Sequence, residues 1–510
     1  MSSAISTTSL SALFQVIKAR FLQGTRTRPQ RVKFFAFLSL VLLLLKYPNR
    51  AIGTRARPDL KAISWKGAPL IGNTITVLKN RNKFLQALVE GFESVEGNTM
   101  ATTILGLGQI IAINDNILLE HILKTNFENY EKGFIINSLL SQVLGNGIFN
   151  SDGTLWKMHR KTASHVFSTK IYRSLIEGTF TDHSHHLCTV LERAADSGVA
   201  VDLQALFLRM TLDAFAQLSF GLDINSLGKD GRDPFGTAFD FAVVSTDERF
   251  MNPLWRITER LTSRASQMRK AVAVIDSYAF EAIRRRRGET TEEALIRQGP
   301  AGPQALSWMY YEVMVNPAVE KNLWQEVDHL DEKATYEMLT KDMRYTHAVF
   351  QEALRLYPPV PRNLKTAVAD DVLPNGIQVK AGDRIMFSTY AIGRNKEVWG
   401  PQAPEFLPER WFEGTTAEVE KGDLKNSTFD EPHVWPKVRK ESQYKFSSFN
   451  AGPRICLGQT FATLEALTVI KMVSSRFQLV LVPGQAPPEP VPSLTLPMKN
   501  PLLVNVVRRK

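Results

Sequence analysis

Phe449-Asn450-Ala451-Gly452-Pro453-Arg454-Ile455-Cys456-Leu457-Gly458 runs directly into a helix-forming segment in which Leu457, Phe461, Leu464, Leu467, Ile470 and Val473 make one apolar stripe. The chain has 510 residues but only two cysteines, so the setting of Cys456 is informative. Gly452 and Gly458 lack side chains, which permits a tight turn and close approach of the backbone to a flat partner. Cys456 falls at the predicted start of the helix, where unpaired N–H groups and the positive end of the dipole favour a negative sulfur. An isolated cysteine ahead of an amphipathic helix is most often a small core residue. The four fixed positions around this one, in the order F-x-x-G-x-R-x-C-x-G, reverse that expectation.

A thiolate that ligates haem iron needs these surroundings, because hydrogen bonds to the sulfur set the electron density of the iron. Arg454 can reach a haem propionate, and Phe449 can shield the sulfur from water. The segment resembles the haem loop of the cytochrome P450 family, and the resemblance covers roughly residues 60–510. It implies the cytochrome P450 fold, mainly α with a small β lobe. It also implies haem b (iron protoporphyrin) as cofactor and Cys456 as catalytic residue and iron ligand, with Phe449, Gly452, Arg454 and Gly458 around the cofactor. The implied reaction is monooxygenation: one atom of O2 enters a C–H bond of an apolar small molecule and the other leaves as water.

Glu352 and Arg355 stand at i, i+3 on a predicted helix that Leu356-Tyr357-Pro358-Pro359 ends abruptly. Phe406-Leu407-Pro408-Glu409-Arg410-Trp411 follows downstream. The resemblance implies that Glu352, Arg355 and Arg410 form a buried ion triad bracing the haem loop. Trp156 and Arg160, at i, i+4, place an indole N–H and a guanidinium on one helix face, a pair suited to a carboxylate. This W-x-x-x-R pattern resembles the family's propionate-binding helix. His159, beside them, is read as a surface or packing residue.

The net charge of +11 is concentrated at one end. Residues 1–58 contain no Asp or Glu but ten bases, leaving 52 bases against 51 acids in the rest. A nearly neutral body gives no reason to expect nucleic acid; a basic leader points to a membrane surface or a targeting address. Phe34–Leu45 is uncharged, and Leu10, Leu13, Phe14, Ile17 and Phe21 trace one helix face before it. The expectation is a leader, 1–58, with a short membrane anchor that either spans thinly or lies in the interface. A haem-thiolate monooxygenase domain, 59–510, follows. The resemblance places such a protein at the endoplasmic reticulum membrane with its catalytic domain in the cytosol. A mitochondrial presequence is the rival, but the apolar run is too continuous for one. Gly106-x-Gly108 and Gly145-x-Gly147 each lack the third glycine of a dinucleotide fingerprint. Electrons must then come from a partner, by resemblance an NADPH-dependent flavoprotein reductase.

One region departs from the family pattern. An acid followed by Thr, within A-G-x-D/E-T, normally lies on a long helix crossing the haem. Here the chain reads Gly299-Pro300-Ala301-Gly302-Pro303-Gln304-Ala305, without either residue, and the prolines would break any helix arriving from upstream. Between Arg287 and Ala301 there is too little chain for the usual turns. The expectation is an internal truncation near 288–303, and with it an alternative function: a haem-binding protein without monooxygenase activity. Phe250–Trp255 and Gln304–Trp308 look most like the fatty-acid and alkane terminal hydroxylases of the family. Asp182, His183, His185 and His186 match no metal-ligand spacing and are read as a solvated face.

Overall fold

The computed structural model describes residues 28–164, 169–220, 225–228, 234–252, 254–286, 303–415, 435–491 and 493–509. Thr99–Asn114 alternates apolar and polar residues, the pattern of paired strands, and folds so. β1 (Thr99–Ile104) and β2 (Gly108–Ile113) pair antiparallel, with Thr99 opposite Ile113. Along the chain follow β3 (Tyr130–Glu131), β4 (Val201–Asp202), β5 (Asn363–Ala367), β6 (Asp371–Val372), β7 (Gln378–Val379), β8 (Arg384–Phe387), β9 (Phe477–Leu481) and β10 (Leu503–Arg508). A five-stranded sheet runs β1-β2-β8-β5-β3, a three-stranded one β4-β10-β9, and β6 pairs with β7. Within the large sheet β2 and β8 are parallel, so strands from distant parts of the chain lie side by side.

The helices that matter here are α1 (Arg28–Lys46), α2 (Gly133–Leu144), α3 (Gly153–Ser164), α4 (Leu203–Phe220), α5 (Pro303–Val315), α6 (Pro317–Asp328), α7 (Arg344–Leu356) and α8 (Gln459–Ser474). The stripe behind Cys456 becomes α8, and its Leu464, Leu467 and Ile470 share the largest apolar cluster with Leu306 and Met309 of α5 and Val349 and Ala353 of α7. Pro303 opens α5, as its fixed φ and missing N–H allow only at a helix start.

The apolar and charged pattern from Thr258 onward has helical spacing, but the chain there forms two helices, Trp255–Leu261 and Arg264–Arg286. Thr262 is extended between them, and its hydroxyl donates to the Thr258 carbonyl at 2.9 Å while accepting from the Arg264 N–H at 3.4 Å. Such a hydroxyl competes with the helix ladder for backbone partners. Two further long helices are α2 and Pro234–Met251. The second is rich in Thr, Val and Phe, poor helix formers, and is held by packing: Ala238 and Ala242 meet Met268 and Ala271 of the helix Arg264–Arg286.

Phe34–Leu45 lies within α1, but twelve residues rise only about 18 Å against a hydrocarbon core of about 30 Å. Among the described residues no helix is long and apolar enough to cross a membrane. The stripe from Leu10 to Phe21 and the junction 287–302 lie outside the described residues.

Candidate active site

The cysteine loop is closed by its own backbone. Cys456 N–H donates to the Phe449 carbonyl at 2.8 Å, and Ile455 N–H to that of Gly452 at 3.0 Å. α8 begins at Gln459 with Gly458 as its cap residue, so Cys456 lies just ahead of the helix rather than in its first turn. The role of Gly452 differs from the expected approach to a flat partner. Its φ is +63°, and a side chain there would run into the carbonyl oxygen of Leu123. Gly458 keeps the space beside the sulfur clear: a Cβ on it would lie 3.8 Å from Cys456 Sγ and meet nothing else.

Cys456 is half-buried. Burial pushes its thiol up, against the Gly458 N–H and the charge of Arg160, which favour the thiolate. The expected electrostatic help is present, but desolvation outweighs it. A metal bound at this sulfur would displace any proton it carries.

A cluster of cations gathers around Arg454 of the cysteine loop, and Arg160 acts on the sulfur itself. Arg160 Nη1 donates to the Ile455 carbonyl at 2.5 Å. Arg454 donates to the Ser151 carbonyl at 3.1 Å and to Asp152 Oδ1 at 2.8 Å, and its guanidinium lies 4.3 Å from the Trp156 ring centroid. Asp152 also accepts the backbone N–H groups of Lys132 and Gly133. Lys132 Nζ donates to the Phe149 carbonyl. Lys365, on β5, is 4% exposed, and its Nζ has no hydrogen-bond partner; Arg454 Nε is likewise buried and unpaired. Burial, with the charge of Arg454, brings Lys132 down to about 8 against the pull of Asp152. Burial, then Arg454 and Lys132, bring Lys365 down to about 7.

Unpaired buried donors of Lys365 and Arg454, in the cluster that includes the cysteine loop, fit a macrocycle that carries two carboxylates. The structure thus brings Arg454, Trp156 and Arg160 together with Cys456. It adds Lys132, Lys365 and Asp152, which the sequence reading missed. Lys365 had one signal: in Asn363-Leu364-Lys365-Thr366-Ala367 it shares a strand face with Ala367, an odd place for an ammonium.

The triad is present and fully enclosed. Glu352, Arg355 and Arg410 are at most 1% exposed. Arg355 grips both carboxylate oxygens of Glu352 at 2.7 Å, and Arg410 Nε donates to Oε1 at 2.8 Å. The remaining guanidinium N–H groups find backbone carbonyls, including Ala403 at 2.6 Å and Gln402 at 2.9 Å. Burial alone would raise Glu352; the two arginines reverse this and hold it at about 2.

The histidines singled out in the sequence have ordinary structural surroundings. His159 Nδ1 lies 3.4 Å from Ser151 Oγ. His183 is buried and paired with Gln217 at 2.6 Å rather than solvated, while His185 and His186 are exposed. Among the described residues no group of three His, Cys, Asp or Glu side chains could hold a metal ion.

Comparison with known proteins gives a consistent result. The family model described as Cytochrome P450 matches residues 64–298 and 304–504. The chain is 33% identical to "Cytochrome P450 monooxygenase cyp1" of Mycosarcoma maydis, covering 93% of this chain and 79% of that protein. That alignment spans 529 positions, more than the 510 residues here, so the relative carries residues this chain lacks. Identity to "Cytochrome P450 94B3" of Arabidopsis thaliana is 33%, over 86% of this chain and 91% of the relative. "Cytochrome P450 94A1" of Vicia sativa is 32% identical, over 81% and 84% respectively.

Proposed function

We infer the detailed chemistry from one premise: this chain belongs to the cytochrome P450 family, as a monooxygenase whose cofactor is haem b. We propose that Cys456 is the iron ligand, that Arg454, Arg160 and Trp156 line the propionate side, and that the Glu352–Arg355–Arg410 triad braces the loop. When bound, the haem supplies oxygen activation and C–H oxidation. The chain supplies the rest. Gly458 N–H and Arg160 stabilise negative charge on the sulfur, and the Phe449 carbonyl fixes the Cys456 backbone. The observation that carries this reading is the meeting of the Cys456 loop with buried, unpaired cationic donors.

The substrate we propose is an apolar chain, a fatty acid or alkane, hydroxylated with electrons from an NADPH-dependent flavoprotein reductase. Support comes from the segments Phe250–Trp255 and Gln304–Trp308. A membrane setting suits such a substrate. We place the protein at the endoplasmic reticulum, held by the leader and by α1, whose Val32, Phe37, Leu40 and Leu45 are exposed. A reduced, carbon-monoxide-bound spectrum tests the thiolate. Product formation from a long-chain fatty acid with a reductase then tests the activity. A missing red-shifted Soret band overturns the ligand assignment.

A second reading, a haem binder without monooxygenase activity, has its own support. The family match is interrupted between 298 and 304, and Ala301-Gly302 is followed by Pro303-Gln304-Ala305 in place of the acid–Thr pair. The thiolate spectrum without product under those conditions would select it. Sequencing the transcript across codons 287–305 would reveal whether a segment is missing.

A further inference from the structure

We propose that the cleft where the helices Trp255–Leu261 and Arg264–Arg286 meet α2 binds a phosphate monoester, free or as the headgroup of a lipid. None of the residues assigned to the haem takes part, so the site stands or falls apart from that reading. Arg256, Arg260 and Arg269 line the cleft, with Gln142, Trp255 and Glu259, and its volume is about 260 Å³. Pockets that enclose a drug-sized molecule run to ~300–1,000 Å³, so this one suits a headgroup-sized anion. Its framework is fixed in advance. Arg249, 2% exposed, donates to both carboxylate oxygens of Glu259, at 2.7 and 3.0 Å, and to the Gln142 side chain. The Arg249 guanidinium also lies 4.5 Å from the centroid of the Trp255 ring. The one carboxylate in the lining is therefore already neutralised.

The three lining arginines are in a different state. Their neighbour Arg264 is paired with Glu248, but Arg256, Arg260 and Arg269 have no carboxylate partner among the described residues. Arg256 and Arg260 stand at i, i+4 on one helix face, where like charges repel. The extended residue Thr262 turns the chain so that Arg269 of the next helix joins them around the same cleft. Arg256 rests 5.3 Å from the Trp255 ring centroid, a contact that orients a guanidinium and leaves its N–H edge free. Such planar forks match phosphate oxygens two at a time, and an anion among three of them relieves their repulsion. A monoester carries about −1.5 to −2 near pH 7, a closer match to three cations than the single charge of a diester. Leu254, Ile257 and Leu261, 53%, 56% and 82% exposed, follow at i, i+3, i+7 on the same segment. An ester with acyl chains covers them, so the lipid form should bind more tightly than the free one.

The test is calorimetric titration of the full-length protein in a non-ionic detergent with three probes. Glycerol 3-phosphate presents the headgroup alone. Dihexanoyl phosphatidic acid presents it with short chains, and dihexanoyl phosphatidylcholine presents the same chains without net charge. Phosphatidic acid should bind one to one, more tightly than phosphatidylcholine. Arg260→Gln should weaken it about tenfold, and Arg256→Gln combined with Arg260→Gln about a hundredfold, with circular dichroism unchanged. Arg284→Gln, about 22 Å farther along the helix than Arg269, removes the same charge and should leave the affinity as it was. Tighter binding of phosphatidic acid than of glycerol 3-phosphate supports a lipid headgroup as the ligand; equal binding supports a free ester. Three results overturn the site: no binding of either phosphate, equal affinity for phosphatidylcholine, or equal weakening by Arg260→Gln and Arg284→Gln.

Discussion

The indole N–H of Trp411 donates to Glu352 Oε2 at 2.9 Å, so the buried triad has a fourth member. The same ring meets Phe446 edge-on at 4.8 Å, and Phe446 meets Phe449 at 6.4 Å. Because the Phe449 carbonyl holds the Cys456 N–H, an unbroken line of contacts leads from the triad to the sulfur. Ser448 adds a second tie, donating to the Leu354 carbonyl of α7 at 2.7 Å.

Removing one member of a buried ion group leaves an uncompensated charge, at a cost of about 3–5 kcal/mol. Arg410→Ala is expected to lose that much stability in urea denaturation and to retain less haem. Trp411→Phe, which keeps the packing but loses one hydrogen bond to a charged acceptor, should lose about 1.5–3 kcal/mol. Full haem occupancy in Arg410→Ala would count against the bracing role.

Glu352 and Glu465 should respond oppositely to pH. Glu352 is held at about 2, below the unfolded range, so its contribution is complete above about pH 4.5 and disappears as pH falls toward 2. Glu465, on α8, is 2% exposed, neither of its oxygens has a hydrogen-bond partner, and burial raises it to about 8. Its contribution is complete below about pH 4.5 and is lost as pH rises to 8, on the order of 4 kcal/mol. Glu465→Gln should therefore gain stability relative to the parent between pH 5 and pH 8 in urea titrations. Parallel stability curves for parent and variant would refute this.

The two glycines of the cysteine loop should tolerate alanine differently. Gly452→Ala combines a left-handed backbone with a collision at the Leu123 carbonyl, and it should cost haem retention and thermal stability together. Gly458→Ala has room and should fold normally, yet it places a methyl group 3.8 Å from the sulfur. Its signature should be a shifted Soret band in a protein of near-parental melting temperature. Equal melting temperatures for the two variants would contradict the geometry.

Cys456→Ser should eliminate the carbon-monoxide band of a thiolate-ligated haem while leaving far-ultraviolet circular dichroism unchanged, because the backbone bond to Phe449 needs no sulfur. Retention of the band would place the ligand elsewhere.

The parts of this molecule legible from sequence share a local origin. Strand alternation in Thr99–Asn114, the stripe of α8 and the i, i+3 pair Glu352–Arg355 are set by periodicity, and each folds where periodicity puts it. The parts that were not legible depend on distant chain. Lys365 is buried because β8 and β3 flank its strand, and Gly452 is constrained by Leu123, more than three hundred positions earlier. The break at Thr262 was local but hidden, since a hydroxyl that competes with the ladder has the same spacing as one that does not.

The parallel partnership of β2 with β8 also bears on how the chain is made. Ile113 leaves the ribosome about 270 residues before Arg384, its partner strand's first residue, which at ~5–20 residues per second is a wait of roughly 15–55 s. Throughout that interval one edge of the β1–β2 hairpin has open backbone donors and acceptors and an apolar face that includes Ile111 and Ile113. A nascent chain of this design would need chaperone cover during elongation, and slowing translation between these two points would lengthen its exposure to mispairing.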